Sequence, residues 1–121
     1  MIETVSSVRI PVPEDRAEMA REFYRDVLEL EELDVPQKDG QNEALWFRVS
    51  DGRLLHLTED PHFAPSHDMY PIFAVTDLRR AAARFEEFLF DVEWDSGSSE
   101  TFCVHDPFGN RLAFCSHEAA S

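Results

Sequence analysis

Lysine is nearly absent from this chain: Lys38 stands alone, and the other ten of its eleven basic residues are arginine. Basic residues are also few against 25 Asp and Glu, which leaves a formal net charge of −14. A surface so acidic repels nucleic-acid backbones and anionic membranes, so both drop out as partners. Two settings fit the charge, a salt-rich cytoplasm and an ordinary acidic protein that prefers arginine. In either, the charge speaks of solubility and not of fold. Cysteine is scarce as well. Cys103 and Cys115 form no CxxC spacing, which excludes a zinc ribbon or a thioredoxin-like motif, and two cysteines in a cytosolic chain are expected as free thiols. No apolar run approaches the ~20 residues of a membrane span. Met1 to Val5 lacks the basic and apolar regions of a signal peptide, so a cytoplasmic location is expected. What remains is 121 residues, 43% of them apolar, enough for one domain with a core of its own.

The chain then shows an order of elements that recurs. Val8, Ile10 and Val12 alternate against Ser7, Arg9 and Pro11, the pattern of a half-buried strand from Val5 to Val12. Glu14 and Asp15 place acids at the start of a helix, which carries Met19, Ala20, Phe23, Val27 and Leu28 to about Leu30. A short strand over 31–36, a turn at Asp39-Gly40-Gln41-Asn42, a strand over 44–50, an Asp51-Gly52 hairpin and a return strand over 54–58 follow. A loop over 59–69, with two prolines and two histidines, is expected to be mobile. The order recurs with a strand over 70–75 and a helix capped by Thr76-Asp77, bearing Leu78, Ala81, Ala82, Phe85 and Leu89. Strands over 92–95, 101–105 and 111–116 complete it, with a polar turn at 97–100 and the turn Asp106-Pro107-Phe108-Gly109-Asn110 between the last two. Val12 corresponds to Val75 and Phe23 to Phe85, an offset of 62 to 63 residues.

Several of these stretches resemble one family. The run Val8-Arg9-Ile10-Pro11-Val12-Pro13, then Phe23-Tyr24-Arg25-Asp26-Val27-Leu28-Glu29-Leu30, is similar to the first strand and the "FY…VLGL" helix end of the glyoxalase/bleomycin-resistance/dioxygenase (vicinal oxygen chelate) superfamily. Glu29 stands where that pattern has Gly. Leu55-His56-Leu57, Phe73-Ala74-Val75-Thr76-Asp77-Leu78 and Asp106 to Leu112 resemble its fourth strand, its fifth strand with the helix start, and its "DPxGN" turn. The resemblance covers residues 5 to 116. It implies an α+β fold in a single domain over 1–121. Two βαβββ modules, about 5–58 and 70–116, would form curved mixed sheets around a cavity, with the helices on the outer face.

The resemblance also implies a divalent-metal site with one ligand from each of four strands. Carried over singly, those positions fall on Ser7, His56, Tyr70 and Ala113, of which His56 alone is a competent ligand. The expectation is therefore no metal cofactor, with His62 or His67 as conceivable displaced ligands. Taking Ser7 as the anchor, strand alternation turns Arg9, Trp46, Arg48, Leu54, His56, Thr58, Tyr70, Ile72 and Ala74 toward the cavity. Cys103, His105, Arg111, Ala113 and Cys115 join them. Ser7, Arg9, Trp46, Arg48, His56, Tyr70, Cys103, His105, Arg111 and Ala113 are the candidate ligand-binding residues, the arginines having surface ion pairs as their alternative role. His56 is either a general base or a buried histidine bonded to Tyr70 or Ser7. Cys103 and Cys115 lie on adjacent strands and are either a reversible redox pair or two small buried residues. The expected function is small-molecule binding by a homodimer without a catalytic metal. The alternatives are a glyoxalase-like lyase or dioxygenase on a degenerate or displaced metal site, a metal-free enzyme using His56 and Tyr70 as acid and base, and a protein acting through its surface.

Overall fold

A computed structural model of the chain describes residues 1–3, 6–34, 44–97 and 100–117. The turn expected at 39–42, the ends of the strands expected from Val5 and to Pro36, the middle of the turn at 97–100 and the tail from 118 lie outside the described residues. The chain divides into two compact units, Met1–Ala64 and Pro65–Ser121.

The first unit contains β1 (Ser7–Val12), α1 (Ala17–Arg21), β2 (Glu31–Leu33), β3 (Ala44–Arg48) and β4 (Leu54–Glu59). Its sheet runs β1-β4-β3-β2; β1 is parallel to β4 and the other pairs are antiparallel. The period of two sorts the side chains. Ile10, Val12, Leu45, Phe47, Leu55 and Leu57 are buried on one face, where Ala20, Phe23, Tyr24 and Val27 of the helical segment join them. Each such large apolar side chain contributes about 1.5–3 kcal/mol by leaving water.

The helix departs from the sequence expectation at both ends. Asp15 adopts a positive φ of 60° and its backbone N–H donates to Glu59, so α1 begins two residues later, at Ala17, without a side-chain cap. From Glu22 to Val27 the helix widens to π geometry, and the Leu28 N–H donates to the Phe23 carbonyl five residues back at 2.9 Å. The chain then exits through Glu29 at φ 59°, the left-handed region that favours glycine. Met19, expected on the apolar side, is exposed. The Asp51-Gly52 hairpin forms as expected, with Gly52 at φ 93°.

The second unit repeats the plan with β5 (Ile72–Val75), α2 (Leu78–Glu87), β6 (Glu93–Trp94), β7 (Thr101–His105) and β8 (Arg111–Ser116), in the order β5-β8-β7-β6. Again the outer pair β5 and β8 is parallel and the others antiparallel. Two mixed four-stranded sheets, each with its own helical segment, make this an α+β fold of two repeated βαβββ modules. Asp77 caps α2 by accepting the Arg80 N–H at 3.1 Å, as its position suggests. Phe85 packs against Phe114, with ring centroids 5.1 Å apart, and Phe114 stacks on Phe102 at 5.2 Å.

Two expectations fail in this unit. The strand over 70–75 begins only at Ile72, because Pro71 has no N–H to give the ladder; its carbonyl still accepts from Ala113 at 3.1 Å. Leu89 does not lie on the buried face of α2. The helix ends at Glu87, and Leu89 follows at φ 66° with 91% of its surface exposed.

The turn after β7 is held by buried polar groups. Asp106 and Asn110 are 4% and 2% exposed. The Asp106 carboxylate accepts the backbone N–H groups of Phe108 (2.9 Å) and Asn110 (2.8 Å) and the Asn110 side-chain amide (3.0 Å). The Asn110 Oδ1 accepts the Ser66 N–H at 3.2 Å, and the Ser66 carbonyl accepts the Arg111 N–H at 3.1 Å. Ser66, in the segment before β5, is thus tied to the start of β8.

Candidate functional site

Each sheet buries one face under its helical segment and turns the other away from it. In the first unit the register sets Arg9 of β1 opposite His56 of β4, and His56 opposite Trp46 of β3. Leu33 of β2 pairs with Trp46 and extends the row. Ser7, Leu54 and Arg48 form the next row on the same face. The alternation that buries Ile10, Leu57 and Leu45 leaves this face to the candidate residues.

Trp46 and His56 stack face to face, with ring centroids 3.7 Å apart and planes within 11°. The imidazole Nε2 is buried and has no hydrogen-bond partner among the described residues, so at that nitrogen the bond expected to Ser7 is not made. Burial, and secondarily the nearby Arg9 charge, pulls His56 below its ordinary pKa of 6.5, which keeps the ring neutral near pH 7. Arg48 takes its alternative role as a surface pair, with Glu31 at 3.4 Å. Arg9 forms no ion pair among the described residues.

On the corresponding face of the second unit, Ile72, Ala113, Cys103 and Glu93 make one row across β5, β8, β7 and β6. Arg111, opposite His105, reaches two groups: its Nε donates to the Cys103 sulfur at 3.4 Å, and its guanidinium lies over the Tyr70 ring, 4.5 Å from the centroid. The Cys103 contact holds this guanidinium above its ordinary pKa. Arg111 is therefore engaged by sulfur and a ring, not by the surface carboxylate that was its alternative. Cys115 pairs with Thr101 while Cys103 pairs with Ala113, so the two thiols are diagonal neighbours, and both are free. Diagonal sites lie about 7–8 Å apart, beyond disulfide reach without backbone movement. His67 approaches His105, ring centroids 5.9 Å apart, and His62 is exposed.

Sequence reasoning missed the place of Leu33 beside Trp46 and the contact between His67 and His105. A period of two run back from Glu31 would have found the first. The second depends on the Ser66 tie, which leaves no periodic signal.

No family model matches the chain, and no curated protein matches it in sequence. Solved structures do. A glyoxalase-family protein of Bacillus anthracis superposes with a TM-score of 0.87 at 25% identity, over 96% of this chain and 96% of that one. The fold belongs to the glyoxalase/bleomycin-resistance (vicinal oxygen chelate) superfamily. An antibiotic-binding protein from a Streptomyces species shares it at TM-score 0.74 and 19% identity, covering 95% of this chain and 96% of its own. The fosfomycin resistance protein of Listeria monocytogenes shares it at 0.76 and 11%, covering 96% and 92%.

The four positions that the sequence resemblance implies as metal ligands carry a poor donor set. Ser7 offers a neutral hydroxyl, Tyr70 a phenol under a guanidinium, and Ala113 a methyl group. His56 is the one good donor, and it carries Arg9 beside it. Among the described residues, no three His, Cys, Asp or Glu side chains gather as a metal site. No helix among them is long and apolar enough to cross a membrane.

Proposed function

We propose that this chain binds a small organic molecule on the exposed face of the first unit's sheet, around Trp46 and His56, without a resident divalent metal. The observation that carries the proposal is the stacked Trp46–His56 pair, flanked by Arg9, which has no ion pair among the described residues. A flat aromatic surface beside a fixed charge is the usual composition of a small-molecule site. A guanidinium next to the one competent donor opposes a divalent cation by like-charge repulsion. The residues at the superfamily's metal positions do not fit such an ion, so no Lewis-acid step is assigned to the chain. The antibiotic-binding and fosfomycin-resistance proteins that share the fold support a role in sequestering or recognising small molecules. We assign the protein to the cytoplasm as a homodimer. Met69 and Ile72, 84% and 65% exposed in the single chain, supply apolar surface for a second copy to cover.

Thermal shift with a panel of aromatic and heteroaromatic small molecules tests the proposal, because a ligand selective for the folded state raises Tm. Members of the panel raise Tm for the parent and fail to do so for a folded Trp46→Ala variant. The proposal is wrong if no member acts, or if the effect survives loss of Trp46.

A further inference from the structure

We infer that the Arg9–His56–Trp46 row selects planar carboxylates, with Arg9 gripping the carboxylate and the aromatic pair lying against the flat body of the ligand. This deepens the reading above and rests on it.

The first observation is the state of Arg9. The chain has more than twice as many acids as bases, so a carboxylate is a common partner for its arginines. In the first unit Arg21, Arg25, Arg48 and Arg53 each hold one, and Arg16 donates instead to the Asp15 carbonyl. Arg9 holds none among the described residues, although it shares a sheet face with Arg48. Its place in β1 fixes it instead opposite His56. A guanidinium set on a rigid strand is a two-pronged donor for a carboxylate, and the strand geometry lowers the entropy lost in forming that fork.

The second observation is independent of the first. Trp46 and His56 are stacked nearly parallel on neighbouring strands, so each covers one face of the other and keeps its outer face and ring edge for a ligand, with His56 next to the cation. Such a pair matches a flat ring better than a puckered one, since dispersion and quadrupole contacts need close parallel or edge-on approach. A ligand that is flat and carries one carboxylate satisfies both halves of the row at once. Aromatic and heteroaromatic acids are that chemical class.

The test uses the full chain with Trp94→Phe, in which Trp46 is the sole indole, at about 0.15 M salt so that the −14 charge is largely screened. Benzoate and 2-naphthoate are titrated against Trp46 fluorescence, with benzamide as the neutral planar probe and cyclohexanecarboxylate as the puckered acid. The two aromatic acids bind, naphthoate the tighter, and each control binds at least about tenfold more weakly than benzoate. Arg9→Gln weakens benzoate by about tenfold or more, Arg9→Lys by less, and Arg53→Gln, on the exposed hairpin, leaves it within about twofold. Circular dichroism confirms that each variant is folded. Equal binding of benzamide and benzoate, or of cyclohexanecarboxylate and benzoate, overturns the assigned ligand class while small-molecule binding stands. Insensitivity of benzoate to both Arg9 variants does the same. Silence of Trp46 toward every probe, charged or neutral, overturns this inference and the binding site itself.

Discussion

Replacing Asp106 by alanine removes the acceptor that organises the turn between β7 and β8. Three donors lose their partner: the backbone N–H groups of Phe108 and Asn110, and the Asn110 side-chain amide. A buried donor left unsatisfied costs about 1–3 kcal/mol. Phe108 is only half-buried, and water can reach its N–H, whereas Asn110 is 2% exposed. Counting the two Asn110 groups in full and the Phe108 group at the low end gives a loss of about 3–7 kcal/mol. Asp106→Asn separates charge from geometry. Its side-chain oxygen still accepts both backbone N–H groups, but its NH₂ then faces the Asn110 NH₂. Flipping Asn110 moves that clash to the Ser66 N–H, which Asn110 Oδ1 now accepts. One donor stays unpaired in either arrangement, for a loss of about 1–3 kcal/mol. Urea denaturation followed by circular dichroism gives both values from the midpoints at unchanged slope. Both variants falling within about 0.5 kcal/mol of the parent, or Asn costing as much as Ala, would refute the reasoning.

Leu89→Gly relieves a fully solvated leucine of its left-handed backbone, worth about 1–2 kcal/mol against about 0.5–1 kcal/mol of added chain entropy, so Tm rises slightly by calorimetry. Gly109→Ala acts the other way: at φ +92°, with a new Cβ 3.3 Å from the Pro65 side chain, it lowers stability by about 1–3 kcal/mol in the same urea assay. The depressed pKa of His56 predicts a pH effect. Between that pKa and the ordinary 6.5, the unfolded chain binds more protons at this residue than the folded one, so the His56 contribution is lost as pH falls through this window. His56→Phe keeps a ring against Trp46 and cannot titrate. Melting curves from pH 7.5 to 5.5 therefore show a smaller drop for the variant than for the parent, and identical drops would contradict the assignment.

Much of the fold was legible because it follows from short-range rules. The alternations of Ile10 and Val12, of Leu45 and Phe47, and of Leu55 and Leu57 locate the buried faces, and Asp77 and Asp51-Gly52 carry their own capping and turn chemistry. What escaped depends on contacts distant in sequence. Asp15 leaves the helix because its N–H finds Glu59, 44 residues away. The π geometry over Glu22–Val27 keeps Phe23, Tyr24 and Val27 buried together, which no local propensity encodes. Pro71 alone could have moved the start of β5 to Ile72. The candidate faces were readable from strand parity, but their bonding was not. Parity places Arg9 and Arg48 on one face, and it does not say that Arg48 finds Glu31 while Arg9 has no ion pair among the described residues. Nor does it reveal that His56 lies flat on Trp46 instead of bonding through Nε2.

The most direct test follows the ring nitrogens of His56 by NMR while Zn²⁺ is added to the full-length protein. With Arg9 beside it and Trp46 stacked upon it, the imidazole should show no saturable shift through a tenfold excess of the metal. A stoichiometric shift of the His56 ring into the range of a metal-bound imidazole, absent in His56→Phe, would contradict the account.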